Sequence, residues 1–324
     1  MDPINVNLPV ELLDHIIRFT IPDSNYLAYP ASHPTTETLL ALCMVSKATN
    51  RSAKALLYIH CLYIDEPWRL DLLLTRSFRQ PVFQTSASHI KNLYLSPFSR
   101  DTIREPKVVT QVAELFTLLG PSLKRLVINM PLRSHYPEED VVDKLRPILR
   151  SGFEQLVHLE EFCSIEDELY LAYWDPAFSQ HAHINEVNDF MFEKWTKLRR
   201  LALYNQYVDP AFCEALTRMP NLEKVILSRP DFEADEASWS TDMALLFGRR
   251  IQSIVVDATD RAPEAGMQSM RCRIESSGAQ SDTWKYNLFA GDDPDEICVV
   301  QDWSLQCALD SSLWSLTDDL NTHG

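Results

Sequence analysis

LKRLVI, residues 123–128, sets Leu123, Leu126 and Ile128 in the pattern LxxLxL. With Ile or Val allowed, the pattern returns at Ile90-Leu93-Leu95, Leu198-Leu201-Leu203, Leu222-Val225-Leu227 and Ile251-Ile254-Val256, and more loosely at Leu159-Phe162-Ile165. The last two positions of each strict string are two residues apart, so in a short strand they point to one side and into one core. First positions follow one another at 33, 36, 39, 24 and 29 residues, an uneven internal period.

Working outward, helical patterns precede these strings. Val108–Leu119, Asp140–Arg150 and Thr241–Phe247 run up to Gly120, Gly152 and Gly248, while Val187–Trp195 and Ala211–Met219 run into Lys197 and Pro220. Three of only seven glycines stand at these stops, where a left-handed backbone position closes a helix at little cost. Helix, stop and LxxLxL, repeated, describe a right-handed α/β unit that must stack on its neighbours to bury its apolar face. Residues 89–262 thus resemble an irregular leucine-rich-repeat solenoid, with an ordinary open α/β sheet as the rival. Residues 263–324 break the rhythm. Met270–Glu275, Trp284–Ala290 and Ile297–Trp303 alternate like strands, Leu305–Leu316 reads as a helix, and Trp284, Trp303 and Trp314 supply bulk for a C-terminal cap.

Upstream, Leu8–Phe19 (LPVELLDHIIRF) spreads Leu8, Val10, Leu12, Leu13, Ile16, Ile17 and Phe19 over about 200° of a helix, wider than the roughly 100° stripe that one core requires. Two surfaces are expected to share this helix. Asn7 is placed to cap it, Pro9 to sit in its first turn and Glu11 to meet its dipole. Residues 21–38, with Pro22, Pro30 and Pro34, read as a loop. From Thr38 a second apolar run predicts one helix broken near Thr49–Asn50, or two short ones. Residues 61–88 read as a connector with a strand-like piece at Leu62–Ile64, a break at Pro67 and a helix over Trp68–Phe78.

The opening Leu8-Pro9-x-Glu11-Leu12-Leu13-x-x-Ile16-Ile17, then Leu39–Leu42 and Val45-Ser46-Lys47 ahead of Ala53–Tyr58, resembles an F-box of the divergent kind common in fungal proteins. The likeness spans about residues 5–60. It departs from the family pattern in a proline-rich insert between the halves and in Thr49–Asn50, which stand near where many F-boxes carry tryptophan. The resemblance implies a three-helix domain, residues 1–60, that docks onto the Skp1 adaptor of a cullin-RING ubiquitin ligase and leaves the rest of the chain to catch a protein substrate. The adaptor-binding residues it implies are Leu8, Pro9, Leu12, Leu13, Ile16, Ile17, Val45 and Lys47. The expected fold class is therefore α/β: a small all-helical F-box-like domain, then the repeat-like solenoid.

Bulk properties agree with an intracellular interaction protein. At 324 residues and 45% hydrophobic content, the chain can bury more than one core. It contains no apolar run long enough to span a bilayer, and Met1–Asn7 lacks the features of a signal peptide, so a cytoplasmic or nuclear home is expected. Seven scattered cysteines without a CxxC pair point away from disulfides and structural zinc. Residues 1–159 hold 17 Lys and Arg against 16 Asp and Glu, whereas 160–324 hold 13 against 30, a net +1 and −17. So acidic a second half repels phosphate backbones, and no nucleic-acid partner is expected. Lys47, Arg51 and Lys54 form an unopposed basic group, either a solvated helix face or a contact for an acidic adaptor.

Reaction chemistry is sparsely written. GxGxxG, GxxxxGK[ST] and GxSxG are all absent. His181 and His183 read as surface residues rather than metal ligands, and Cys163 and Cys213 as buried packing residues. Glu160, Glu161, Glu166, Asp167 and Glu168 read as a solvated acidic face or a docking patch before an acid–base pair. Neither cofactor nor catalytic residue is expected. Ubiquitin transfer by proximity needs none in this chain. The alternative is a repeat-type interaction scaffold without a ligase role. Tyr94, Arg125, Arg200 and Lys224 flank the strand positions and are expected to line a concave binding face.

Overall fold

A computed structural model describes residues 9–99, 101–174, 186–187, 189–232, 251–259, 269–273, 283–289 and 295–316. Three helices come first: α1 (Val10–Arg18), α2 (Pro34–Cys43) and α3 (Lys47–His60). Their shared core is small, formed by Ile17, Leu39, Ala53 and Leu56. Pro9 holds the N-cap position of α1 rather than its first turn, and the expected cap Asn7 lies outside the described residues. Helix α2 starts at Pro34, inside the stretch expected to be loop. A first-turn proline forfeits no hydrogen bond, and the His33 ring accepts from Thr35 N at 3.2 Å. The break before α3 falls at 44–46 rather than at Thr49–Asn50. Ser46 Oγ accepts from Thr49 N and Thr49 Oγ1 from Ser46 N, a reciprocal cap that starts α3 there.

The remaining chain builds one α/β body. After β1 (Tyr63–Ile64) come α4 (Pro67–Leu72, continuing as a π-helical turn Leu73–Ser77), α5 (Pro81–Ala87), β2 (Asn92–Leu95), α6 (Pro106–Leu119), β3 (Arg125–Ile128), α7 (Leu145–Phe153) and β4 (Glu161–Ser164). The segment read as a connector is thus the first layer of the body, with Leu62, Ile64, Leu70 and Phe83 in its main core. Next come the small strands β5 (Tyr173–Trp174) and β6 (Glu186–Val187), a 3-10 turn (Met191–Lys194), β7 (Arg200–Tyr204), β8 (Tyr207–Val208), α8 (Pro210–Arg218), β9 (Lys224–Ser228) and β10 (Asp231–Phe232). The helix expected over Val187–Trp195 is therefore only that short turn, and Thr241–Phe247 and Gly248 lie outside the described residues. The described elements close with β11 (Gln252–Thr259), β12 (Ser269–Arg273), β13 (Thr283–Phe289) and α9 (Glu296–Asp310), followed by a 3-10 turn over Ser312–Ser315. Ile297–Trp303 is helix, not the expected strand, because the Asp295 side chain accepts from the backbone N–H groups of Ile297 and Cys298 and starts α9.

The main sheet runs β1-β2-β3-β4-β7-β9-β11-β13-β12, open and parallel except for β12 at its edge. Strand order follows chain order through β11, so consecutive units lie side by side. The row Leu93, Leu126, Phe162, Leu201 and Val225 is in register across five strands and faces the helices α4–α8. In all four strict LxxLxL strings before β11, every pattern position lies in this helix-side core. The fifth slips by one residue. Ser253 and Val255 pair with Val225 and Leu227, so Ile254 and Val256 point to the opposite face. A one-residue register change reverses the side to which each residue points.

Two glycines work differently from expectation. Gly120 is right-handed at φ −49°, and Gly152 lies inside α7. Each permits a close approach instead of a backward turn. A β-carbon at Gly120 would stand 2.3 Å from Gln155 O, and one at Gly152 would stand 2.7 Å from Ala113 Cα on α6. Helix α7 itself begins at Leu145, five residues later than the pattern predicts. Lys144 holds the N-cap position, and the Asp140 carboxylate, outside the helix, accepts from its first two amides, Leu145 N at 2.8 Å and Arg146 N at 2.7 Å.

Candidate functional site

Helix α1 is apolar on two faces, and the fold uses one. Taking Leu12 as zero at 100° per residue, Ile16 and Phe19 lie within about 40° of it, whereas Leu13 and Ile17 lie roughly 100–140° away. The second pair faces α3: Ile17 is 2% exposed, Leu13 is half-buried, and Ser52 Oγ of α3 donates to the Asp14 carboxylate. The first group is bare, with Leu12 49%, Ile16 55% and Phe19 77% exposed. At the turn into α3, Met44 is 86% and Val45 69% exposed. Lys47 and Arg51 are exposed on α3, and neither they nor Lys54 is in an ion pair among the described residues.

Of the eight residues expected to bind an adaptor, Leu8 lies outside the described residues. Pro9, Leu12, Ile16, Val45 and Lys47 are exposed, while Leu13 and Ile17 support them from beneath. Phe19, Leu40 and Met44 were not singled out as binding residues, although Phe19 could have been, seven places after Leu12 on the same face. Met44 had no such signal, since its exposure follows from where the helix breaks. No family model and no curated protein matches the chain.

The second face of the sheet, expected as an open concave surface, is closed. Leu27 and Ala28 from the α1–α2 loop, with Val300, Ala308, Leu309, Leu313 and Trp314 from the C-terminal helix and turn, bury Tyr94, Val127, Cys163, Ala202, Ile226 and Ile254. Arg125, Glu161, Arg200 and Lys224 stand in one cross-strand row. Glu161 takes both arginines, at 2.8 Å from Arg125 Nε and 2.7 Å from Arg200 Nη1. Arg125 also donates to Asn25 O and Ser311 Oγ, Lys224 donates to Trp314 O, and Arg200 lies 6.0 Å over the Trp314 ring. Arg125, Arg200 and Lys224 thus engage the chain's own C-terminal segment, while Tyr94 is buried and stacked on Tyr63 at 4.2 Å. Trp314 covers this face over β7 and β9, away from the end of the sheet, whereas Trp303 stacks at 5.2 Å on Tyr286 of β13, beside the last strand. Nothing is described of the Trp284 side chain.

The remaining chemistry-bearing residues divide by burial. Cys163 and Cys213 are buried on opposite faces of the sheet, and burial pushes the Cys163 thiol far up. Glu160 pairs with Lys124 at 2.6 Å on the surface. Glu166, Asp167 and Glu168 are not a solvated face. Each is half-buried, and desolvation raises all three carboxyls, Glu166 to about 7. His181 and His183 lie outside the described residues. Among the described residues no group of three or more His, Cys, Asp or Glu could hold a metal, and no helix is long and apolar enough to cross a membrane.

Proposed function

We propose that the chain is the substrate-recognition subunit of an SCF-type (Skp1-cullin-F-box) ubiquitin ligase, with an F-box-like helical domain docking onto Skp1 and a leucine-rich-repeat-like body presenting a protein target. One observation carries this reading: α1 packs on α3 through Ile17 yet leaves Leu12, Ile16 and Phe19 in water. Contiguous exposed apolar groups of this kind mark interaction surfaces. The basic side chains of α3 suit an acidic partner, and the strand order of the body fits stacked repeats. The chain then acts by holding a target near the transferred ubiquitin, in the cytoplasm or nucleus, without catalytic residues or cofactor of its own. The test is association with purified Skp1, alongside a Leu12→Asp/Ile16→Asp variant. Absence of association for a folded wild-type chain refutes the proposal.

A second reading, an interaction scaffold whose N-terminal helices serve only as a cap, also has a specific observation in its favour. These helices are joined to the body: Tyr58 meets Phe83 edge-on at 4.9 Å, Leu27 N donates to Leu309 O at 2.7 Å, and Leu27 and Ala28 belong to the second-face core. Removing residues 1–60 therefore destabilises the body under either reading. Only Skp1 association separates them.

A further inference from the structure

At the carboxyl edge of the sheet the chain leaves three adjacent strands side by side. Ser96 follows β2, Asn129 follows β3, and Glu166 comes two residues after β4. Together with Ser99 and Asp101 from the loop after β2 and Gln301 of α9, they line a cavity of about 310 Å³. Ligands of open parallel sheets bind at this edge, where the loops leaving the strands converge. The volume is near the lower end of the roughly 300–1,000 Å³ range of small-molecule pockets, enough for one elongated group. Gln301 Nε2 donates to the Glu166 carbonyl at 3.4 Å, so the C-terminal helix that closes the second face also closes one wall of this cavity.

The lining is polar and carries negative charge. Glu166 is half-buried and Asp101 exposed; burial, then the charges of Asp167 and Asp101, raises the Glu166 carboxyl. No described Lys, Arg or His forms an ion pair with either carboxylate, and Arg100, between Ser99 and Asp101, lies outside the described residues. Arg133, in the loop beyond Asn129, is engaged with the next two acids: its backbone N–H donates to Asp167 at 3.0 Å and its guanidinium Nε lies 3.5 Å from Glu168. Among the described residues no group of three or more His, Cys, Asp or Glu that could hold a metal gathers here. Two carboxylates with hydroxyls and amides between them offer several oxygen acceptors to a planar group with many N–H donors.

We propose that this cavity binds a guanidinium group, with Glu166 inside and Asp101 at the mouth as its counter-charges and Ser96, Asn129 and Gln301 accepting its remaining N–H bonds. If the chain is a recognition subunit, the carrier is an arginine side chain of the target, so the inference deepens that reading. The second face of the sheet is covered by the chain itself, and the carboxyl edge is the accessible alternative.

The test is calorimetric titration of the full chain at pH 8 with Nα-acetyl-arginine amide, agmatine and the uncharged Nα-acetyl-citrulline amide. The arginine compound should bind with a dissociation constant on the order of 1 mM, and the citrulline compound at least tenfold more weakly. Glu166→Gln should weaken arginine binding at least tenfold without lowering the melting temperature, since it removes an unfavourable buried charge. Arginine amide binding as well as agmatine supports a peptide side chain as the source, whereas agmatine alone supports a free small guanidine. Equal binding of the arginine and citrulline compounds, no saturable binding, or unchanged affinity in a folded Glu166→Gln chain overturns the proposal. Skp1 takes no part in this assay, so failure here leaves the adaptor-docking reading standing, and failure of the Skp1 test leaves the cavity standing.

Discussion

On the proposed adaptor-docking function, truncating Leu12 and Ile16 together to alanine should weaken Skp1 binding by roughly 10- to 100-fold and lower the melting temperature less than Ile17→Ala does. Fully burying a leucine or isoleucine side chain is worth about 1.5–3 kcal/mol. With 49% and 55% of these residues still exposed, about half of that, roughly 0.8–1.5 kcal/mol each, is available to a partner. Their sum, at about 1.4 kcal/mol per decade, gives the expected loss of affinity after a small allowance for the retained methyl groups. Ile17→Ala is the contrast. Ile17 is 2% exposed among Leu39, Ala53 and Leu56, so its truncation should lower stability by about 2 kcal/mol or more through lost burial and a residual cavity. Calorimetry with purified Skp1 and circular-dichroism melting of both variants give the comparison. The reasoning fails if the double variant melts as low as Ile17→Ala, or if it binds Skp1 as tightly as the wild type while fully folded.

Three further outcomes follow from the body of the protein. Gly152→Ala should destabilise by about 1–3 kcal/mol in a urea titration, because the new methyl would stand 2.7 Å from Ala113 Cα and push α7 off α6. Arg146 is fully buried and donates to the carbonyls of Leu132 at 3.0 Å, His135 at 2.6 Å, Tyr170 at 2.6 Å and Ala172, so Arg146→Met should strip these of a shared donor and lower stability by about 3–5 kcal/mol. A loss below about 1 kcal/mol in chemical denaturation would show that the guanidinium is dispensable. Burial holds the Glu166 carboxyl at about 7, with Asp167 and Glu168 raised alongside it. At these carboxyls the native chain therefore binds more protons than the unfolded one between about pH 4.5 and 7, and their contribution to stability, complete at the acid end, is lost as pH rises through 7. Melting temperatures at pH 5, 6, 7 and 8 should fall less steeply for Glu166→Gln than for the wild type, with the variant melting higher at pH 8.

Legibility in the sequence followed the range of the interaction. The strict LxxLxL strings at 90, 123, 198 and 222 all became strands with their apolar positions in one core, because alternation along a strand is a local property. Helices with strong local patterns, such as α6 and α8, appeared within two residues of expectation. Ile254 and Val256 carried the same letters but faced the other way, since both sides of the sheet are apolar and pattern alone cannot choose between them. Ile297–Trp303 failed for a related reason: a short apolar run reads equally as strand or buried helix, and the Asp295 cap decided it.

From the sequence alone came the α/β class, the run of strands that the main sheet uses and a first helix with more apolar surface than one core can absorb. Only the tertiary structure decided which face of that helix stays bare, that Leu27 and Trp314 meet over strands far from both in the chain, and that Arg125 and Lys224 hold the C-terminal segment instead of a visitor. Periodicity reports that a residue needs cover. What provides the cover depends on segments hundreds of residues apart, and their meeting leaves no mark on local spacing.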